Sequence, residues 1–168
     1  MRCAACGAAL RDDAAGCVGL YHELSVQTLS DRDPTFPHQL AVDAYAAQHA
    51  GAAAKPLTTA FALIGLYLVN ERGFTGRQAQ RAHMFLGRRR EPWPRFSPPA
   101  RVGDVTVADV LAAGEADRND ALRRWAASAW DAWREQHQQV AALVSDRFDQ
   151  QSRRGARGSR ARARSRGT

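Results

Sequence analysis

Apolar positions recur at helical spacing along most of the chain. Between Val18 and Leu29, the residues Leu20, Tyr21, Leu24 and Val26 are set among polar neighbours, which suits one helical face better than an alternating strand. Ser30-Asp31-Arg32-Asp33-Pro34 breaks this helix, because proline cannot continue it and restricts the residue before it. A second helix is predicted from near Phe36-Pro37 through His49, stopping at Gly51. The short link makes the two an antiparallel hairpin.

Four further helices follow from the same pattern. Pro56 opens one that runs to Arg72. It is apolar nearly all round, so it is expected to be the central buried helix. Gly65 in its interior costs roughly 1 kcal/mol relative to alanine, and a close helix crossing would explain it. Thr75 caps a helix from Gly76 to about Arg90, with Ala79, Ala82, His83 and Leu86 on one face. His83 is thus expected to be a partly buried histidine bonded to a backbone carbonyl. Arg88-Arg89-Arg90 complements the end of that helix's dipole. A proline-rich connection, 91–99, should pack Trp93 and Phe96 on the body. Thr106 and Asp109 form a capping-box signature ahead of a short helix to Leu111, which Gly114 ends. The last helix is predicted as continuous from about Asp117 to Phe148. It carries a core or interface stripe of Trp125, Ala129, Trp133, His137, Val140 and Val144, with Leu122, Ala126, Trp130 and Leu143 alongside. His137, near the polar edge, is read as solvated.

The expected fold is all-α: a single bundle of about five to six helices, with an N-terminal zinc knuckle and a disordered C-terminal tail. The boundaries are 1–148 for the domain, 1–17 for the knuckle and 149–168 for the tail.

Charge divides the chain in the same place. Of 24 basic residues, seven are arginines within 152–168, a stretch with no acid, leaving 17 basic against 17 acidic residues in the body. The net charge of +7 therefore belongs to the tail. Rich in Arg, Ser, Gly and Ala, the tail has little to bury and is expected to be disordered. It offers weak, salt-sensitive, sequence-blind contacts to nucleic acid. The longest apolar run, Ala60 to Val69, is well short of the ~20 residues of a membrane span. No basic segment followed by an apolar stretch marks a signal peptide. The expectation is a soluble cytoplasmic protein.

Candidate chemistry concentrates at the N-terminus. Cys3-Ala-Ala-Cys6-Gly7 is a metal-knuckle spacing, and Cys17 follows behind Gly16. With the hairpin folded about Asp33, Cys17 lies sixteen residues before the turn and His49 sixteen after, so both fall at the open end. His38 lies near the turn, roughly 16 Å from His49 along the axis, too far to share one ion. The reading is one structural zinc held by Cys3, Cys6, Cys17 and His49, with His22 the rival fourth ligand. A redox Cys-x-x-Cys would need a preceding strand, and none fits before Cys3.

No Gly-rich phosphate loop, His-Glu-x-x-His or Gly-x-Ser-x-Gly occurs. Three function classes remain. First is a zinc-stabilised, non-enzymatic module that binds a protein partner. Second is an enzyme whose helical pocket uses His38, Asp43, Tyr45, Glu71 or His83. His38 and Asp43 diverge by about 140° on an ideal helix and make no dyad alone. Third is a nucleic-acid-associated protein acting through the tail.

Several segments resemble an uncharacterised bacterial family classed as a domain of unknown function. They are Cys3-x-x-Cys6-Gly7 with Gly16-Cys17, Tyr21-His22-Glu23-Leu24, and the run from His38 through Asp43, Tyr45 and Gln48 to His49. Ile64-Gly65-Leu66-Tyr67-Leu68, Trp93-Pro94, Asp104 to Leu111 and the pair Trp130 and Trp133 resemble it too. The likeness spans residues 1 to about 148, omits the tail and implies no activity.

Overall fold

The computed structural model describes residues 1–11, 15–29, 33–88 and 91–149. Among them are seven α-helices: α1 Gly16–Thr28, α2 His38–Gln48, α3 Pro56–Asn70, α4 Gly76–Leu86, α5 Val107–Ala112, α6 Gly114–Ala132 and α7 His137–Val144. A 3-10 turn, Arg134–Gln136, joins α6 to α7, and a π-helical turn, Ser145–Asp149, follows α7. No strand forms among the described residues, and a single antiparallel bridge pairs Arg2 with Ala9. The all-α bundle predicted from periodicity is therefore the fold. Arg89, Arg90 and residues 150–168 lie outside the described residues.

Local sequence sets several helix ends. Proline occupies the first turn of α3, where its missing N–H costs nothing. Thr75 and Gln78 close a capping box at α4, and Thr106 with Asp109 does the same at α5. The hairpin of α1 and α2 keeps a strict level register about Asp33. Thr28 and His38, five residues either side, meet Oγ1 to Nδ1 at 2.9 Å. Tyr21 and Tyr45, twelve either side, stack with ring centroids 4.2 Å apart.

The expected central helix shares its place. α3 packs against α2, α4, α6 and α7, while α2 packs against α1, α3, α4 and α6. The helix read as one arm of a hairpin is thus a second axis of the core, and it buries three polar side chains, Gln39, Asp43 and Gln48. Gln48 spends its amide fully. Nε2 donates to the carbonyls of Val102 and Val105 at 3.0 and 2.8 Å, and Oε1 accepts from Trp125 Nε1 at 2.8 Å. This pins the 102–105 segment and α6 onto α2.

The predicted continuous last helix is divided. At Trp133 the backbone leaves helical angles, and its N–H tightens onto Trp130 O at 2.9 Å. His137 Nε2 donates to that same carbonyl at 2.9 Å, and its ring lies flat on Trp130 with centroids 3.7 Å apart and planes 3° apart. His137 is thus half-buried and stacked, not solvated. Two smaller boundaries also move. α4 stops at Leu86, and Gly114 opens α6 with φ +71° directly after α5.

Candidate metal centre

The first ten residues form a small hairpin loop. Cys3 N–H donates to Ala8 O, Gly7 N–H to Cys3 O and Leu10 N–H to Met1 O, each at 2.9 Å. The chain reverses after Cys6 through Gly7 at φ +74°, a conformation that glycine adopts without a Cβ penalty. Gly16, at φ +68°, turns the chain into α1 and puts Cys17 in its first turn. α2 carries His49 just past its last residue.

These elements bring Cys3, Cys6, Cys17 and His49 together. One ligand atom from each lies within 4.8 Å of all the others, and the group can hold a metal ion. The separation Cys6 Sγ to Cys17 Sγ is 3.5 Å, and Cys3 Sγ to His49 Nε2 is 3.8 Å. These are opposite edges of a four-atom cage. A tetrahedron with bonds of about 2.0 to 2.3 Å has edges of roughly 3.3 to 3.8 Å. Cys6 and Cys17 are buried, while Cys3 and His49 are half-buried.

The imidazole is held in one tautomer. His49 Nδ1 lies 2.8 Å from Tyr45 O, and since a carbonyl only accepts, Nδ1 carries the proton. When a metal takes the place of the Nε2 proton, Nε2 would present its lone pair toward the site, oriented by this second hydrogen bond as in metal-bound histidines. The ring also stacks on Tyr45, centroids 4.0 Å apart, and Tyr45 in turn on Tyr21.

Electrostatics in the cluster favour a cation. Burial opposes charge on His49, yet the Cys6 sulfur, the Tyr45 carbonyl and Cys3 raise its pKa to about 9. Burial and the neighbouring Cys6 and Cys3 sulfurs push Cys17 up. Cys3, despite its own burial, is held down to about 6 by the Cys6 backbone and by His49. Tyr45 is lifted to about 12 by burial and by the sulfur charges. Three thiols this close resist losing more than one proton until a cation offsets the mutual repulsion.

The remaining candidates are dispersed. His22 is exposed and lies outside the cluster. His38 bonds Thr28 at the closed end of the hairpin. Glu71 accepts from Trp130 Nε1 at 2.8 Å. Asp43 and His83 do come together, through a residue that the sequence did not single out. Gln39 Nε2 donates to Asp43 Oδ1 at 3.0 Å and reaches His83 Nδ1 at 3.3 Å. His83 thus meets a side-chain amide, and the backbone carbonyl of Phe61 also faces its ring, as expected of a core histidine. Asp43 Oδ1 and His83 Nδ1 are 4.0 Å apart, which makes an ion pair only when His83 is protonated. Burial raises Asp43 well above the usual carboxylate range and pushes His83 down to about 4, so both favour the neutral form. This cluster sits in the core between α2, α3 and α4. Asp43 and His83 were among the pocket candidates of the sequence, whereas Gln39, four residues before Asp43, was not.

Among the described residues no helix is long and apolar enough to cross a membrane. No curated protein and no solved structure matches the chain. The family described as "Family of unknown function (DUF5946)" matches residues 1–134, which takes in the whole cysteine and histidine cluster and the helices from α1 to α6. The chain belongs to that family.

Proposed function

We propose that the protein is a zinc-stabilised helical module that binds a protein partner, and that its zinc is structural, held by Cys3, Cys6, Cys17 and His49. The observation that carries the reading is the pair of opposite cage edges, 3.5 and 3.8 Å, which match a four-coordinate zinc. Three thiolates and one imidazole complete the coordination and leave no open position for a substrate, the mark of a structural site. A reducing, cytoplasmic setting keeps such thiols available. A partner role is supported by the apolar side chains left in solvent, Val26 and Leu29 from the α1 end and Met84 on α4.

The test is metal content and its dependence on single ligands. Protein purified under reducing conditions should carry one zinc per chain. Cobalt substitution should give the visible absorption of a tetrahedral thiolate site. His49→Ala should lower stoichiometry or affinity, whereas His22→Ala and His38→Ala should leave both intact. Full zinc binding in His49→Ala with loss in His22→Ala would assign the fourth ligand differently. Reduced, chelator-free protein without metal would end the reading.

A further inference from the structure

We propose that Cys6 and Cys17 are a peroxide-oxidisable pair whose conversion to a disulfide expels the metal and uncouples the N-terminal knuckle from α2. The inference rests on the zinc reading above for the metal that is expelled, but not for the pairing itself.

The pairing follows from geometry. The Cys6 and Cys17 sulfurs are 3.5 Å apart, and each must move by less than about 1 Å to reach the 2.05 Å of a disulfide. The Cys3 sulfur lies within 4.8 Å of both and is 3.8 Å from His49 Nε2. The two partners sit on separate elements, the knuckle turn and the first turn of α1. Both are buried at 5% and 7% exposure, so the oxidant must be small.

The chemistry balances with hydrogen peroxide as the oxidant. One thiolate of the pair attacks the O–O bond, forming a sulfenic acid and releasing hydroxide. The second thiolate attacks that sulfur, forming the S–S bond and releasing a second hydroxide. Two sulfurs lose two electrons in total, peroxide is reduced to two hydroxides that are protonated to water, and zinc keeps its oxidation state. Cys3 and His49 alone are too few ligands to retain the ion. The oxidised chain keeps the knuckle tied to α1 through Cys6 and Cys17, while the metal's link to His49 at the end of α2 is gone.

Trypsin provides a direct readout, because Arg2, Arg11 and Arg32 place Cys3 and Cys6 together in peptide 3–11 and Cys17 alone in peptide 12–32. Full-length reduced protein would first be assayed for metal, then treated with hydrogen peroxide. A zinc-sensitive dye, a free-thiol count and peptide mapping would follow. The expected result is one linked pair of peptides per chain, a fall from three thiols to one, release of the metal, and reversal by dithiothreitol. Cys3→Ser should retain the link. An internal Cys3–Cys6 bond, a link lost in Cys3→Ser, or oxidation to sulfinic acid without any link would overturn the proposal. If the reduced protein carried no metal, the zinc reading would fail separately, and the same peptide map on wild type and Cys3→Ser would still decide the pairing.

Discussion

A Cβ on Gly65 would collide with Oδ2 of Asp43. The glycine in the middle of α3 is therefore the space into which α2 inserts its carboxyl group. Gly65→Ala gains about 1 kcal/mol in helix propensity, but the overpacking it forces costs typically 1 to 3 kcal/mol. The expected outcome is a net loss of stability in urea unfolding. Asp43→Ala combined with Gly65→Ala should recover part of it, since removing the carboxyl empties the contested space. A stabilised Gly65→Ala single variant would contradict this account.

Gln48 makes three side-chain hydrogen bonds from α2 to other parts of the core. Gln48→Ala strands the buried indole N–H of Trp125 and leaves the half-buried carbonyls of Val102 and Val105 without their donor. Each buried unsatisfied group costs about 1 to 3 kcal/mol. A loss of about 3 kcal/mol or more is expected by chemical denaturation. The 102–105 segment should also become more susceptible to proteolysis.

His83 gives the protein an acid sensitivity of known sign. Its folded pKa of about 4 lies below the unfolded value of about 6.5, so it supplies stability that is fully present above the unfolded value and is lost as pH falls through the folded one. The loss amounts to about 3 kcal/mol across that window. Asp43, raised by the same burial, runs the other way, because its cost disappears as it is protonated. Stability of wild type minus His83→Gln, followed between pH 7 and pH 4, isolates the histidine. The difference should shrink as the solution is acidified.

The Arg-rich segment 152–168 should be dispensable for stability. Its deletion should leave the melting temperature unchanged and abolish retention on nucleic acid at low salt, because the remaining chain has 17 basic and 17 acidic residues. A truncated body that held DNA as strongly would refute the assignment of charge to the tail.

Legibility in the sequence followed the kind of information each feature needs. The hairpin register needed only rise per residue and a turn. Counting from Asp33 placed Cys17 and His49 at one level, and the same count accounts for the Tyr21–Tyr45 stack and the Thr28–His38 bond. The cysteine and histidine cluster was legible for that reason. Asp43 and His83 were named as candidates, but the Gln39 that joins them and the partners of Gln48 were not, because periodicity says which side of a helix faces inward but not which polar partner waits across the gap. The break at Trp133 was hidden by a stripe that continues in phase through His137. What ends the helix is a tertiary contact, the imidazole turning back onto Trp130, and that leaves no mark in the spacing.

The equal arms of the hairpin have a further meaning in polymer terms. Thirty-two positions separate Cys17 from His49, so an ion bound by both closes a loop around the whole hairpin. Chain-entropy reckoning for a covalent closure of that size gives about 3 to 4 kcal/mol, taken from the freedom of the unfolded chain. The Thr28–His38 bond marks the opposite end of the same loop. Metal occupancy would therefore act less as a support for the knuckle than as a clasp on a ring. Withdrawing it would let the two arms part first at the end farthest from the turn.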